Sequence, residues 1–327
     1  MDYRTLGRTG KTVSSIGLGT WQLGADWGDV STADALAILD ASAKAGVTFF
    51  DTADVYGDGR SEKTIGEYLA ANPGHGITVA TKMGRRVEQD AAHFTLSNFR
   101  AWTDRSRANL GMDTLDLVQL HCPPTSVFSS DEVYDALDTL VAEGAIAAYG
   151  VSVETCDQAL AAIARPGTAT VQIILNAFRL KPLDAVLPAA KAAGVGIIAR
   201  VPLASGLLSG KYTRDTVFAE NDHRNFNRDG SAFDVGETFS GVDYETGLAA
   251  AIEFGDLVPE GITPAAAALA FVASLDGVSS VIPGARNVEQ ALGNASAGNI
   301  GDLGEAFRAG VRDIYDRTIR ASVHDRW

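Results

Sequence analysis

Four ionisable side chains of complementary chemistry stand at or just past the ends of short apolar runs in this 327-residue sequence. Asp51 closes "GVTFFD" (46–51), and Tyr56 follows five positions later beside Gly57, Asp58 and Gly59. Lys82 closes "GITVATK" (76–82) and His121 closes "LDLVQLH" (115–121). Turn chemistry explains the glycines but not a phenol among them. A free tyrosine, with a pKa of about 10, is a slow acid at neutral pH. A neighbouring ammonium stabilises the phenolate, and a carboxylate beyond it keeps the ammonium charged and aimed. Tyr56, Lys82 and Asp51 thus read as a relay in which the phenol is made more acidic and delivers a proton to an oxygen. His121 would orient or polarise the same oxygen. Singly, each residue has a plainer explanation: a capping Asp, a solvated Lys, a structural His near Pro123. Together, without a nucleophile or metal set, they point to carbonyl reduction with hydride from a bound cofactor. The five histidines show no HxH or HExxH spacing, so no metal is expected.

Something must bring residues seventy positions apart to one place. Eight short β-branched runs recur, at 15–20, 46–51, 76–82, 115–121, 145–152, 169–176, 195–201 and 278–284. Apolar on both faces, they suit strands of a covered parallel sheet. Helical patterns lie between them. "STADALAILDASAKAG" opens on Ser31 and Thr32 and stops before Gly46. "LSNFRAWTDRSRANLG" aligns Phe99, Trp102, Ser106 and Leu110, and "SSDEVYDALDTLVAEG" offers a capping box from Ser129 to Glu132. Eight strand–helix units without a GxGxxG turn predict an α/β protein with a closed (β/α)₈ TIM barrel rather than an open sheet. The strand ends then share one rim. The whole chain, 1–327, is expected to be this single domain. Residues 1–14 predict an N-terminal β-hairpin, and the polar, glycine-rich 210–241 predicts a long excursion after the seventh strand that folds over a ligand.

Composition narrows the partners. A 46% apolar fraction supports a large core, and a net charge of −14 argues against nucleic acid and anionic membrane surfaces. No apolar run spans a membrane, "MDYRTLGRTG" lacks a signal-peptide core, and two cysteines, Cys122 and Cys156, suit a reducing cytoplasm.

From about Tyr3 to Asn294 the sequence resembles the aldo-keto reductase superfamily, in the bacterial branch related to potassium-channel β subunits. The resemblance rests on "GLGTW" (17–21), "FFDTADVYG" (49–57), "TK" (81–82), "LDLVQLH", "EGAIAAYGVS" (143–152), Gln172, "RVPLASGLLSGKY" (200–212) and "VIPGARNVEQALGN" (281–294). It implies NADPH extended across the rim and reversible reduction of an aldehyde, ketone or sugar carbonyl. Tyr56 would be the proton donor, with Lys82, Asp51 and His121. Thr20, Trp21 and Asp51 would line the nicotinamide, and Trp21, Tyr56 and His121 the substrate. Ser152 and Gln172 would bind the carboxamide. Val201, Pro202, Leu203, Gly206, Leu208 and Lys211 would follow the pyrophosphate, and Arg200 and Arg224 would also bind the cofactor. Gly284, Arg286, Gln290 and Asn294 would hold the adenosine end.

Physics supports that last assignment independently. A glycine at the last strand's exit, a guanidinium and a helix N-terminus attract a phosphate monoester, whereas an acidic residue would suit a 2′-hydroxyl. Arg286 therefore predicts NADPH over NADH. Arg200 stands where the family commonly has a stacking aromatic, and its planar guanidinium is expected to stack instead. Trp27 is a further candidate for the pocket wall. An NADPH-binding, redox-sensing subunit with slow turnover is the alternative reading, a small-molecule substrate is the expected partner, and homo-oligomerisation stays open.

Overall fold

The computed structural model describes residues 1–24, 30–220 and 222–327, so Trp27 lies outside the described residues. β1 (Tyr3–Thr5) and β2 (Thr12–Ser14) form the antiparallel hairpin, pairing Tyr3 with Ser14 and Thr5 with Thr12. The barrel strands are β3 (Leu18–Gly19), β4 (Phe49–Asp51), β5 (Thr78–Met83), β6 (Leu117–His121), β7 (Tyr149–Ser152), β8 (Thr168–Ile174), β9 (Gly196–Arg200) and β10 (Val278–Val281). Each pairs in parallel with its sequence neighbour, from β3 to β10. Beyond β3 and β10 the ring closes: Gly17 N donates to Val281 O (2.8 Å), Val281 N to Ser15 O (2.9 Å) and Gly19 N to Pro283 O (3.0 Å). All eight expected strands are present, in a (β/α)₈ barrel.

The outer layer holds α1 (Thr32–Lys44), α2 (Arg60–Ala71), α3 (Leu96–Leu110), α4 (Asp131–Ala142), α5 (Cys156–Ile163) and α6 (Val186–Ala193), one after each of β3 to β8. After β9 come α7 (His223–Phe226), α8 (Tyr244–Leu257) and α9 (Pro264–Ser274); α10 (Val288–Ser296) and α11 (Glu305–Ile314) follow β10. α1 begins at Ser31, whose side chain accepts from Asp34 N. On α3, Phe99, Trp102, Ser106 and Leu110 are buried, and Gly111 ends the helix at φ 66°. The cap of α4 is Ser130, not the expected Ser129; Ser130 accepts from Val133 N, while Ser129 donates back to Ser126 O. Only Ser129 has a glutamate three positions on, but a preceding 3₁₀ turn claims it, and the helix is capped by Ser130 without a capping box.

The hairpin covers the barrel floor. Leu6, Val13, Phe49, Ala80, Leu117 and Ile198 pack together there, fully buried. Arg8 donates to Ala193 O, beside β9, and to Thr168 O on β8. With the floor sealed, the opposite rim carries the strand C-termini. The segment expected as a loop at 210–241 is folded, with α7 and two 3₁₀ turns at Val235–Glu237 and Phe239–Gly241. It is bonded within itself, Asn227 Oδ1 accepting from Ala232 N and Phe233 N, and to the barrel, Ser240 Oγ accepting from Asn176 Nδ2 (2.7 Å).

Candidate active site

β4, β5 and β6 end side by side, with Asp51 opposite Ala80 and Lys82 opposite Gln119. Their side chains meet. Lys82 Nζ donates to Asp51 Oδ1 (2.5 Å), to Thr52 O (2.9 Å) and to Tyr56 Oη (3.4 Å). Asp51 Oδ2 accepts from Gln172 Nε2 (2.8 Å) and Gln119 Nε2 (3.1 Å), so the carboxylate is fixed from three strands. Lys82, Asp51 and His121 are 1%, 2% and 6% exposed. Burial of this order isolates the ion pair from water and makes loss of either partner costly.

Tyr56 arrives on a turn rather than a strand. Gly57, at φ 58°, packs against the backbone of Gly24, where a Cβ would lie 1.9 Å from Gly24 O; no other residue fits there. The phenol ring stacks on Trp21 (centroids 5.9 Å, 17° between planes) and meets His121 edge-on (5.9 Å, 82°). Behind it, Thr20 Oγ1 donates to Asp51 O and Ser61 Oγ to Thr20 Oγ1. This hydroxyl chain ties the first barrel strand's exit to the second.

The electrostatics correct one expectation. Burial raises the Tyr56 pKa, Lys82 opposes this, and Asp51 and Glu237 reinforce it; the phenol titrates above its ordinary range, not below. Lys82 does pull in the anticipated direction, but less than desolvation pushes. Tyr56 therefore keeps its proton at neutral pH. Burial lowers the Lys82 pKa, yet Asp51 and Tyr56 outweigh it and hold the ammonium charged. His121 is driven well below the ordinary imidazole range by burial first, then by Arg85, Lys82 and Arg200. It is a neutral ring, with a buried Nδ1 that has no partner among the described residues.

These residues open into a cleft of about 720 Å³ running from Tyr56 and His121 to the start of α10. A profile of the Aldo/keto reductase family matches residues 15–316. The chain belongs to that family. L-galactose dehydrogenase of Arabidopsis thaliana is 34% identical over 219 residues, 64% of this chain and 67% of that one. A probable voltage-gated potassium channel subunit beta of Oryza sativa subsp. japonica is 29% identical over 313 residues, 91% of each chain. The solved glycerol dehydrogenase AKR11B4 from Gluconobacter oxydans superposes with a TM-score of 0.80 at 29% identity, covering 97% of this chain and 96% of that one. As an aldo/keto reductase the protein is an oxidoreductase.

Most residues expected to touch the cofactor do line this reductase's cleft: Thr20, Trp21, Ser152, Gln172, Arg200, Val201, Pro202, Leu203, Gly206, Lys211, Arg224, Gly284, Arg286, Gln290 and Asn294. Three behave otherwise than expected. Leu208 is fully buried in the apolar core and does not reach the cleft. Arg200 is held by Glu154 Oε2 (2.8 Å) and Glu237 Oε1 (3.3 Å), so it enters the cleft wall as part of an ion cluster rather than as a lone cation. The space above Gly284 is filled by the Gln22 carboxamide, a Cβ there meeting it at 2.2 Å.

Arg85 joins the Arg200 cluster through Glu154 (3.3 Å) and Glu237 (3.6 Å). Burial pushes the neighbouring Cys122 thiol up to about 12. Cys122, Glu154 and Glu237 gather as a metal set might, but two guanidiniums already share their space. Gln22, Cys122, Ser205, Tyr212, Phe218 and Glu237 also line the cleft and were missed from sequence. Gln22 follows the recognised "GLGTW" directly, which was the signal available for it. The backbone offers another: Val201, Ala204 and Ser205 hold φ of 53°, 47° and 55°, left-handed values costly for any residue with a side chain and most of all for valine. Such strain at a cleft lip marks a backbone shaped for contact.

Proposed function

We propose that the protein is an NADPH-dependent reductase of aldehydes or ketones that transfers hydride directly and uses Tyr56 as proton donor, reversibly, with sugars and polyols among its substrates. The observation that carries this reading is the buried chain Asp51–Lys82–Tyr56, 2.5 Å and 3.4 Å between successive polar atoms, ending at the cleft.

The residues present suit a dinucleotide. The cleft is long, with amide and hydroxyl groups (Gln172, Ser152) near the chemistry and cations (Lys211, Arg286) at the far end. The Gln22 Oε1 acceptor is buried in its wall without a partner among the described residues. NADPH, when bound, supplies the hydride. The chain's own residues do the rest. Tyr56 holds the proton at its Oη and releases it to the developing alkoxide, a transfer the Lys82 charge assists. Asp51, fixed by Gln119 and Gln172, keeps that ammonium in place. Neutral His121, edge-on to the phenol, positions the carbonyl oxygen by hydrogen bonding without competing as an acid. Trp21 closes one side and limits water.

Arg286 and the start of α10 receive the 2′-phosphate, which favours NADPH. Unpaired Cys122 and Cys156 fit a cytoplasmic protein, and we take residues 1–327 to be one barrel unit. The test is a panel of aldehydes, ketones, sugars and polyols followed by NADPH absorbance at saturating nucleotide. Turnover of at least one carbonyl class, with the matching alcohol oxidised by NADP⁺, is expected. Tight NADPH binding with no turnover across the panel would instead favour the redox-sensing subunit.

A further inference from the structure

Two arginines at the far end of the cleft differ in freedom. Arg224 is fully engaged: Nε donates to Asp222 Oδ1 (2.8 Å), Nη2 to Asp222 Oδ2, and Nη1 to Tyr212 Oη and Ser205 O. Its guanidinium also lies 4.7 Å from the Phe218 ring centre. Arg286 is open, with its side chain 38% exposed. Among the described residues its guanidinium meets one carboxylate, Asp222 again, whose Oδ2 accepts from Nη2 at 3.4 Å.

Asp222 is itself 5% exposed and does not line the cleft. It caps α7, accepting from Arg224 N (3.0 Å). Although burial opposes its charge, the hydrogen bonds from Arg224 hold the carboxyl below its ordinary value, so it is an anion at neutral pH. One buried negative charge therefore serves two positive ones that both line the cleft, gripping Arg224 with two hydrogen bonds and Arg286 with one longer contact.

We propose that Asp222 is a selectivity residue that acts through Arg286, neutralising part of its charge and so weakening the preference for a 2′-phosphorylated dinucleotide over its 2′-hydroxyl counterpart. The inference rests on the nucleotide reading above. A phosphate monoester carries roughly −1.5 to −2 charge near neutral pH. To bind Arg286 it must share a guanidinium that already donates to a carboxylate, and it must approach that carboxylate's like charge. A 2′-hydroxyl has no charge to be repelled. The penalty thus falls on one nucleotide alone, and the protein uses NADPH while tolerating NADH.

Asp222→Asn removes the charge and keeps a good helix cap. Asp222→Ser also caps while lacking the charge, and gives a second reading if the first variant misfolds. Dissociation constants for NADPH and NADH would be measured by fluorescence titration at one fixed salt concentration, for the wild type, both variants, Arg286→Ala and the double variant Asp222→Asn/Arg286→Ala. Removing the charge should raise the NADPH-to-NADH affinity ratio on the order of tenfold. In the Arg286→Ala background the same substitution should leave the ratio unchanged. A purely structural role would shift both nucleotides together and leave the ratio flat in every background. A flat or falling ratio in the Asp222 variants, or a rise that persists without Arg286, overturns the proposal. A wild type that binds neither nucleotide overturns the cofactor reading, and this inference with it.

Discussion

Asp54, two residues before Tyr56, is fully buried, and among the described residues neither of its carboxyl oxygens accepts a hydrogen bond. Burial, then the nearby Glu62, raises it to about 7, against partial relief from Arg86 and Arg105. A carboxyl whose folded value exceeds its unfolded value of about 3.8 binds its proton more tightly in the folded state, so ionisation costs stability. Stability is therefore highest below that unfolded value, falls as pH rises towards 7, and is flat above it. Asp54→Asn removes the pH-dependent part. It should stabilise the protein more at pH 8 than at pH 5, the two gains differing by about 2 kcal/mol in denaturant unfolding. Equal effects at both values would show that Asp54 holds no such proton. Residue identity alone disclosed Asp51, Tyr56, Lys82 and His121. It could not disclose that desolvation outweighs the Lys82 field at Tyr56, because that balance depends on how deeply the fold buries the phenol.

At the scale of elements, the strands and helices were legible because their signals are local: two-faced apolar runs for the sheet, spaced apolar positions on α3, a capping serine at α1. The segment 210–241 was not. Its order comes from contacts distant in sequence, such as Glu237 with Arg85 and Arg200, Ser205 Oγ accepting from Phe239 N, and Trp327 Nε1 donating to Asp234 Oδ1. Phe218 is the hub of its cleft-facing half, with Tyr212 (5.2 Å), Phe239 (5.8 Å) and Tyr244 (6.1 Å) around it and the Arg224 guanidinium beside it. Phe218→Ala should loosen this strap. Nucleotide release, followed by stopped-flow fluorescence, should accelerate by about three- to tenfold, an aromatic contact being worth roughly 0.5–1.5 kcal/mol. The single-turnover hydride step should be unchanged. Release at the wild-type rate would mean the strap does not cover the nucleotide.

For the whole molecule, closure of the barrel is the decisive event. The bonds between Ser15, Gly17 and Val281 join the ends of the sheet and force the exits of β4, β5 and β6 onto one rim. Among the described residues no helix is long and apolar enough to cross a membrane, and a net charge of −14 does not prevent Lys211 and Arg286 from making a local anion site. The fold and the meeting of Asp51, Tyr56, Lys82 and His121 at one rim could be read together, since one periodic pattern places the other. The cleft wall was harder: folding alone brings Gln22 against Gly284 and Asp222 against Arg286, residues more than sixty positions away in sequence. By the proposed function, the barrel gathers Asp51, Lys82 and Tyr56 so that the phenol can donate a proton. Tyr56→Phe tests it most directly, because it deletes one oxygen and leaves the Trp21 stack in place. With a carbonyl substrate found in the panel, turnover should fall by at least about a hundredfold, the loss expected for a missing general acid, while the NADPH dissociation constant stays at its wild-type value. Turnover within a few-fold of wild type at unchanged NADPH affinity would contradict the account.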